Sequence, residues 1–292
     1  MPCYHPIPAW IPQHASDKGT RPPTFRLQEG WVDKPTQIPC GRCVGCRVGR
    51  AMDWGNRVLH ETQSYNDNAF VTLTYSDEHL PENGSLQLRD LQLFWKRIRK
   101  AGHTIRYFAC GEYGDQTHRP HYHAVVFGYW PNDRVRIPHP GRTVPLYRSE
   151  QLDKLWGQGN ATFSPVTREN ATYVAKYTLN KYDDKGAKRN FEGRQEPFLI
   201  MSRKPGLGNN YAREHARALT RFDGIRLRGG QLAKLPKYYD NVIEKHEPQL
   251  VKGLKTRRSL KAKANPDNTG TRLVAREAVK QSQMAILTRN AN

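Results

Sequence analysis

Apolar and polar positions alternate most clearly after Ala69, where Phe70-Val71-Thr72-Leu73-Thr74-Tyr75 supplies the aromatic and β-branched residues that suit a pleated surface. This run predicts a central strand. Further on, Leu91, Phe94, Trp95 and Ile98 recur at helical spacing while Lys96, Arg97, Arg99 and Lys100 occupy the other side, which predicts a helix with Asp90 as its cap. Two more apolar runs, Ile105 to Glu112 and His121 to Gly128, flank a polar turn through Gly114, Asp115 and Pro120, and so predict an antiparallel hairpin. Beyond a Pro- and Arg-containing loop between Pro131 and Pro145, helices are expected around Gln151 to Trp156, from Asn170 to Lys181 with Asn170 or Thr167 as cap, and around Tyr211 to Thr220.

Composition changes the picture at both ends of the chain. Residues 1–60 are rich in Pro and Gly and hold a cysteine cluster, so an irregular, metal-tied segment is expected there, followed by a main domain over residues 61–234. Residues 235–292 read as a basic tail, Lys/Arg-rich and poor in aromatics from about Val251, either mobile or a helix ordered by a partner. A chain of 292 residues has room for one substantial core with appendages. Forty-seven Lys and Arg against 27 Asp and Glu leave a formal charge of +20, which favours a polyanionic partner through counterion release. The basic side of the helix after Asp90 is then either a solvated face or a nucleic-acid contact. No stretch approaches the ~20 apolar residues of a membrane span, and Pro2, Pro6, Pro8 and Pro12 stand where a signal peptide would be apolar, so a cytoplasmic location is expected.

The chemistry concentrates in two places. In a strand, residues two apart share a face, so His121 and His123 of Pro120-His121-Tyr122-His123 point one way and Tyr122 the other. Glu112 on the partner strand, nine residues upstream of His121, lies close enough to offer a carboxylate to the same ion, and this mixed set suits Mg or Mn. In Tyr173-Val174-Ala175-Lys176-Tyr177, positions four apart fall on one helix face and present two phenol hydroxyls together. Lys176 beside Tyr177 either offsets phosphate charge or is simply solvated. Cys40, Cys43 and Cys46, spaced by two residues, with Cys3 far upstream, offer a four-thiolate zinc site or, failing that, a set of reduced thiols in a Gly-rich turn; Cys110 reads as a small core residue.

A His-hydrophobic-His strand preceded by an acidic strand and followed about fifty residues later by a Tyr-x-x-x-Tyr helix resembles the HUH endonucleases. More closely, FVTLTY, GEYGDQTHRPHYHAVVFG and YVAKYTLNK, together with CGRCVGCR and MSRKPGLG, look like the replication initiators of microviruses, small phages with circular single-stranded DNA, over roughly residues 40 to 210. The resemblance implies an α+β fold with a mostly antiparallel sheet of about five strands, helices on one face and the catalytic centre on the other. It implies that His121, His123 and Glu112 hold one Mg or Mn ion, with His118 in the turn as a substitute ligand, and that Tyr173 or Tyr177 attacks an origin phosphate to form a covalent 5′-phosphotyrosine link. The second tyrosine would cleave the regenerated origin after one round, and the reaction would nick and rejoin single-stranded viral DNA.

A relaxase or single-strand transposase of the same superfamily is the nearest alternative. A non-catalytic single-stranded DNA or RNA binder would account for the charge and the tyrosines but leaves the His-Tyr-His strand without a reason. No G-x-x-x-x-G-K-[ST] loop occurs, so a helicase, like a polymerase, is expected from the bacterial host, in whose cytoplasm the protein would work.

Overall fold

The computed structural model describes residues 3–17, 21–114, 116–141, 143–176, 191, 193–227 and 229–289. Its strands are β1 (Ile7–Pro12), β2 (Gly30–Ile38), β3 (Asn68–Tyr75), β4 (Arg106–Tyr113), β5 (Pro120–Phe127), β6 (Val135–Ile137), β7 (Leu146–Arg148), β8 (Gly159–Pro165), β9 (Phe198–Met201), β10 (Gly224–Arg226) and β11 (Leu232–Lys234). Its helices are α1 (Val44–Thr62), α2 (Leu88–Lys100), α3 (Glu150–Trp156), α4 (Arg168–Lys176), α5 (Asn209–Glu214), α6 (Ala216–Phe222), α7 (Lys237–His246), α8 (Pro248–Lys263) and α9 (Gly270–Arg289). No helix among the described residues is long and apolar enough to cross a membrane.

The chain forms two compact units, one of residues 1–49, 184–186 and 260–292, the other of residues 50–183 and 187–259. The larger unit is built on an antiparallel sheet of seven strands in the order β6-β7-β8-β3-β5-β4-β9, so the run at Phe70 is indeed a central strand. The α+β class with a mostly antiparallel sheet is the one expected, although the sheet is wider than five strands: the short β6 and β7 come from the loop between Pro131 and Pro145 and its flank, and β9 from the FLIM segment, none long enough to show an alternating pattern.

Helices flank both faces of this sheet, not one, because both faces of its central strands carry apolar residues. On one face Val71, Leu73, Tyr122, Ala124 and Val126 meet Leu91, Phe94, Trp95 and Ile98 of α2 and Leu152 and Trp156 of α3. On the other, Phe70, Phe108, Val125 and Phe127 meet Ala51 and Val58 of α1 and Ala171, Val174 and Ala175 of α4. Asp90 is not the cap of α2. The helix begins at Leu88 with Gln87 at its N-cap, and the Asp90 carboxylate accepts the Tyr75 hydroxyl at 2.8 Å.

Fully buried Tyr122 is a core anchor. Its hydroxyl accepts from the Gln87 N–H at 2.8 Å, donates its one proton to either the Tyr75 oxygen at 2.7 Å or the Gln87 carbonyl at 3.0 Å, and so ties the sheet to the start of α2. The expected helix at Tyr211 to Thr220 is present as two, α5 and α6. The basic C-terminal segment is helical, and Tyr239, Val242, Ile243, Val251 and Leu254 are buried with Ala212, Leu219, Ile225 and Ala233 in a further core of the larger unit.

In the smaller unit β1 and β2 form an antiparallel hairpin. Tyr4, Cys43, Val44 and Leu273 of α9 are buried together there, with Cys3, Cys40, Cys46 and Val48 packed against them.

Candidate metal centre

The register of the β4–β5 hairpin builds the first centre. Glu112 is paired directly with His121, and Cys110 with His123, so strand alternation brings Glu112, His121 and His123 onto one face with Tyr122 on the other. Both imidazole Nε2 atoms converge on one carboxylate oxygen, Glu112 Oε1, at 2.8 Å from His121 and 2.9 Å from His123. Their candidate ligand atoms all lie within 4.8 Å of one another.

The orientation of each ring is fixed from behind. His121 Nδ1 lies 3.1 Å from the Arg119 carbonyl oxygen, a group that can only accept, so Nδ1 carries a proton and the ring is turned with Nε2 toward the carboxylate. His123 Nδ1 is 3.0 Å from the Thr72 hydroxyl on β3, and its ring stacks on Phe70 at 5.6 Å. Burial holds the His123 imidazole below its ordinary pKa in spite of the Glu112 carboxylate beside it, which keeps Nε2 available as a ligand.

Glu112 itself has the character of a cation ligand. Its carboxylate is 2 % exposed, and its second oxygen, Oε2, is buried with no hydrogen-bond partner among the described residues. Leaving a buried carboxylate oxygen unsatisfied is expensive, by about 1–3 kcal/mol or more for a charged group. An oxygen-and-imidazole set with a spare carboxylate oxygen fits a divalent ion of the Mg, Mn or Zn type. His118 has no part in it. It lies exposed in the turn at φ 51°, outside this group of ligand atoms.

Helix α4 brings a tyrosine hydroxyl to the same place. Thr167 is its cap: the Asn170 N–H donates to the Thr167 hydroxyl at 3.2 Å while the Thr167 N–H donates to the Asn170 side chain at 2.8 Å. With Ala171, Val174 and Ala175 turned into the core, Tyr173 stands on the flank, 38 % exposed. Its hydroxyl donates to Glu112 Oε1 at 3.5 Å, and its ring meets the His123 ring edge-on at 5.2 Å. Tyr177 and the side chain of Lys176 lie outside the described residues.

The sequence reading missed Thr72 and the Arg119 carbonyl as positioning groups. Thr72 did leave a signal, since Thr72 and Thr74 interrupt the otherwise apolar run from Ala69 to Tyr75 and Thr72 pairs with His123.

The second group is Cys3, Cys40, Cys43 and Cys46 of the smaller unit, whose sulfurs also lie within 4.8 Å of one another. All four are free thiols. The Cys40 N–H donates to Cys3 Sγ at 3.2 Å, and the Cys43 N–H to Cys40 Sγ at 3.3 Å. Burial works against the Cys40 thiolate, yet the backbone N–H groups of Cys43 and Arg42 outweigh it and bring that thiol down to about 7. Burial raises the thiols of Cys3 and Cys46. Four sulfurs at this spacing, at least three of them N–H acceptors, fit a tetrahedral thiolate site for zinc. Cys110 stands apart as the buried core residue expected.

Comparison with known proteins bears on the same stretch of chain. Residues 68–182, which carry β3 to α4, match the family model described as Replication-associated protein ORF2/G2P. The chain is 32% identical over 222 residues to Replication-associated protein VP4 of Bdellovibrio phage phiMH2K, covering 73% of this chain and 69% of that one. It is 30% identical over 223 residues to Replication-associated protein ORF2 of Spiroplasma virus 4, with 71% and 68% covered. With Replication-associated protein ORF4 of Chlamydia phage 1 it shares 29% identity over 220 residues, 71% of this chain and 54% of that one. No solved structure matches the chain. The chain therefore belongs to the family of phage replication-associated proteins, the replication initiators of microvirus type.

Proposed function

We propose that this replication initiator acts as an endonuclease and ligase of single-stranded DNA, cutting the viral origin through Tyr173 and holding the 5′-phosphate as a phosphotyrosine. The observation that carries the reading is the position of the Tyr173 hydroxyl, 3.5 Å from the carboxylate oxygen on which both histidines converge. His121, His123 and Glu112 would hold a Mg or Mn ion, which supplies Lewis-acid polarisation of the scissile phosphate when bound.

The chain's own residues do the rest. The Tyr173 oxygen attacks phosphorus and forms a P–O bond while the bond from phosphorus to the 3′-oxygen breaks; the phenolic proton is lost and the departing 3′-oxygen takes one up. Glu112 Oε1, which accepts from the hydroxyl, is positioned to receive the phenolic proton or orient it. The covalent link conserves the energy of the broken phosphodiester, so the free 3′-OH can prime synthesis and a later 3′-OH can attack the phosphotyrosine to close a circle. Tyr177, four residues on, is proposed as the second nucleophile, and Lys176 as a cation offsetting phosphate charge. The four cysteines are proposed to hold a structural zinc ion. A host helicase and polymerase would complete replication in the host cytoplasm.

The test is a covalent one. Protein incubated with 3′-end-labelled fragments of the single-stranded phage genome and Mn is expected to give a labelled band that survives denaturation and runs with the protein's mass. Release of cut DNA with no protein-linked label would overturn the tyrosine mechanism.

A further inference from the structure

Helix α6 ends on Phe222, an aromatic ring left 40 % exposed on the larger unit. Two guanidinium groups flank it, that of Arg226 at 4.2 Å from the ring centroid and that of Arg221 at 5.7 Å. Strand pairing extends the patch. Arg226 is registered with Leu232 and Gly224 with Lys234, so these residues share the face of the β10–β11 hairpin opposite to Ile225 and Ala233, which are buried in the core below. Leu232 is itself 54 % exposed and lies across Gly224, where an added Cβ would meet its Cγ at 2.7 Å. The result is an open apolar surface of Phe222 and Leu232 edged by Arg221, Arg226 and Lys234.

The two guanidinium charges beside Phe222 are not paired locally. Asp223, the nearest acid in sequence, is engaged by Arg258 at 2.7 Å, and the same guanidinium reaches Asp240. Among the described residues neither Arg221, Arg226 nor Lys234 makes an ion pair. An exposed ring beside two guanidinium groups leaves apolar surface in water and returns nothing to the core. It is the arrangement on which an unpaired base can add a layer, with the flanking cations left for phosphates.

We propose that Phe222, Arg226 and Arg221 form a stacking platform for single-stranded DNA, distinct from the residues that perform the chemistry. An unpaired base stacks on the Phe222–Arg226 pair, while Arg221 and Lys234 meet the adjoining phosphates. The platform holds a strand without reading its sequence. It rests on the reading of this chain as a single-strand enzyme only in the choice of DNA as the ligand.

Oligothymidylate provides the test, because it carries unpaired bases and no origin. By fluorescence anisotropy Phe222→Ala is expected to weaken binding of the full chain about 5- to 100-fold, the range of one base–aromatic stack, whereas Phe222→Trp keeps the affinity and its emission is quenched on saturation. Arg221→Ala and Lys234→Ala should each lower the slope of log affinity against log salt by about 0.7. Binding to a blunt duplex should not respond to Phe222→Ala. Unchanged oligothymidylate affinity in Phe222→Ala, an unquenched tryptophan at saturation, or a Phe222-dependent affinity for single-stranded RNA with none for DNA would each overturn the platform. Covalent adduct formation by the wild-type protein is scored separately: its absence removes the nuclease reading and leaves the oligothymidylate result standing, and its presence with an indifferent Phe222→Ala removes the platform alone.

Discussion

At the scale of single residues, the account turns on one buried carboxylate. Glu112 is shared by His121, His123 and Tyr173 through a single oxygen and keeps its other oxygen unsatisfied, so binding a cation should stabilise the folded chain. At an Mn concentration a hundred times Kd the linkage amounts to about 2.7 kcal/mol, read as a rise of several degrees in Tm. Glu112→Gln should abolish that rise, and a mutant that gains as much from Mn as the wild type would remove Glu112 from the site. His121→Ala or His123→Ala is expected to lower cleavage at least about 100-fold, the usual loss when a group that stabilises developing charge is removed. Thr72→Val tests positioning in isolation. With its Nδ1 partner gone, His123 should bind metal about 10- to 100-fold more weakly, and cleavage should recover as Mn is raised. Failure to recover at saturating Mn would give Thr72 a different role.

At the scale of elements, the sequence was most legible where one periodicity ran long enough to show. The hairpin of β4 and β5, the apolar stripe of α2 and the Thr167 cap of α4 were all readable, and so was the shared face of Glu112, His121 and His123, because strand alternation and a short turn leave one register that pairs them. What stayed hidden depends on long-range contacts. Asp90 has the chemistry of a cap, but its carboxylate is drawn to Tyr75 on a strand fifteen residues earlier, and the helix starts without it. Strands β6, β7 and β9 take their structure from neighbours in the sheet rather than from their own short sequences. The proximity of Cys3 to the other three cysteines joins positions thirty-seven residues apart or more, which spacing alone left open. Removing the cap by Thr167→Ala should cost about 1 kcal/mol in urea melts. Because α4 carries Tyr173, adduct yield should fall more than the small loss of stability implies; an unchanged yield would mean that α4 is held by its core face alone.

At the scale of the whole molecule, two features of the chain matter together: a formal charge of +20 and a C-terminal segment that is part of the fold. Val251 and Leu254 are buried in the larger unit, and Leu273 lies in the core beside Tyr4 and Cys43. Truncation near residue 250 would therefore remove core residues as well as charge, and salt dependence is the cleaner probe of electrostatics. Affinity for single-stranded DNA should fall at least about tenfold between 50 and 200 mM salt, and a flat response would mean that the excess charge does not meet phosphate.

The proposed chemistry nevertheless stands on one bond. Peptide mass mapping of the denaturation-resistant DNA adduct reads it directly. The wild type should give a nucleotide-modified peptide at Tyr173 or Tyr177, each single Phe variant should shift the modification to the remaining tyrosine, and the Tyr173→Phe, Tyr177→Phe double variant should fold with none. An adduct persisting in the double variant, or mapped to a residue outside α4 and the segment that follows it, would contradict the account.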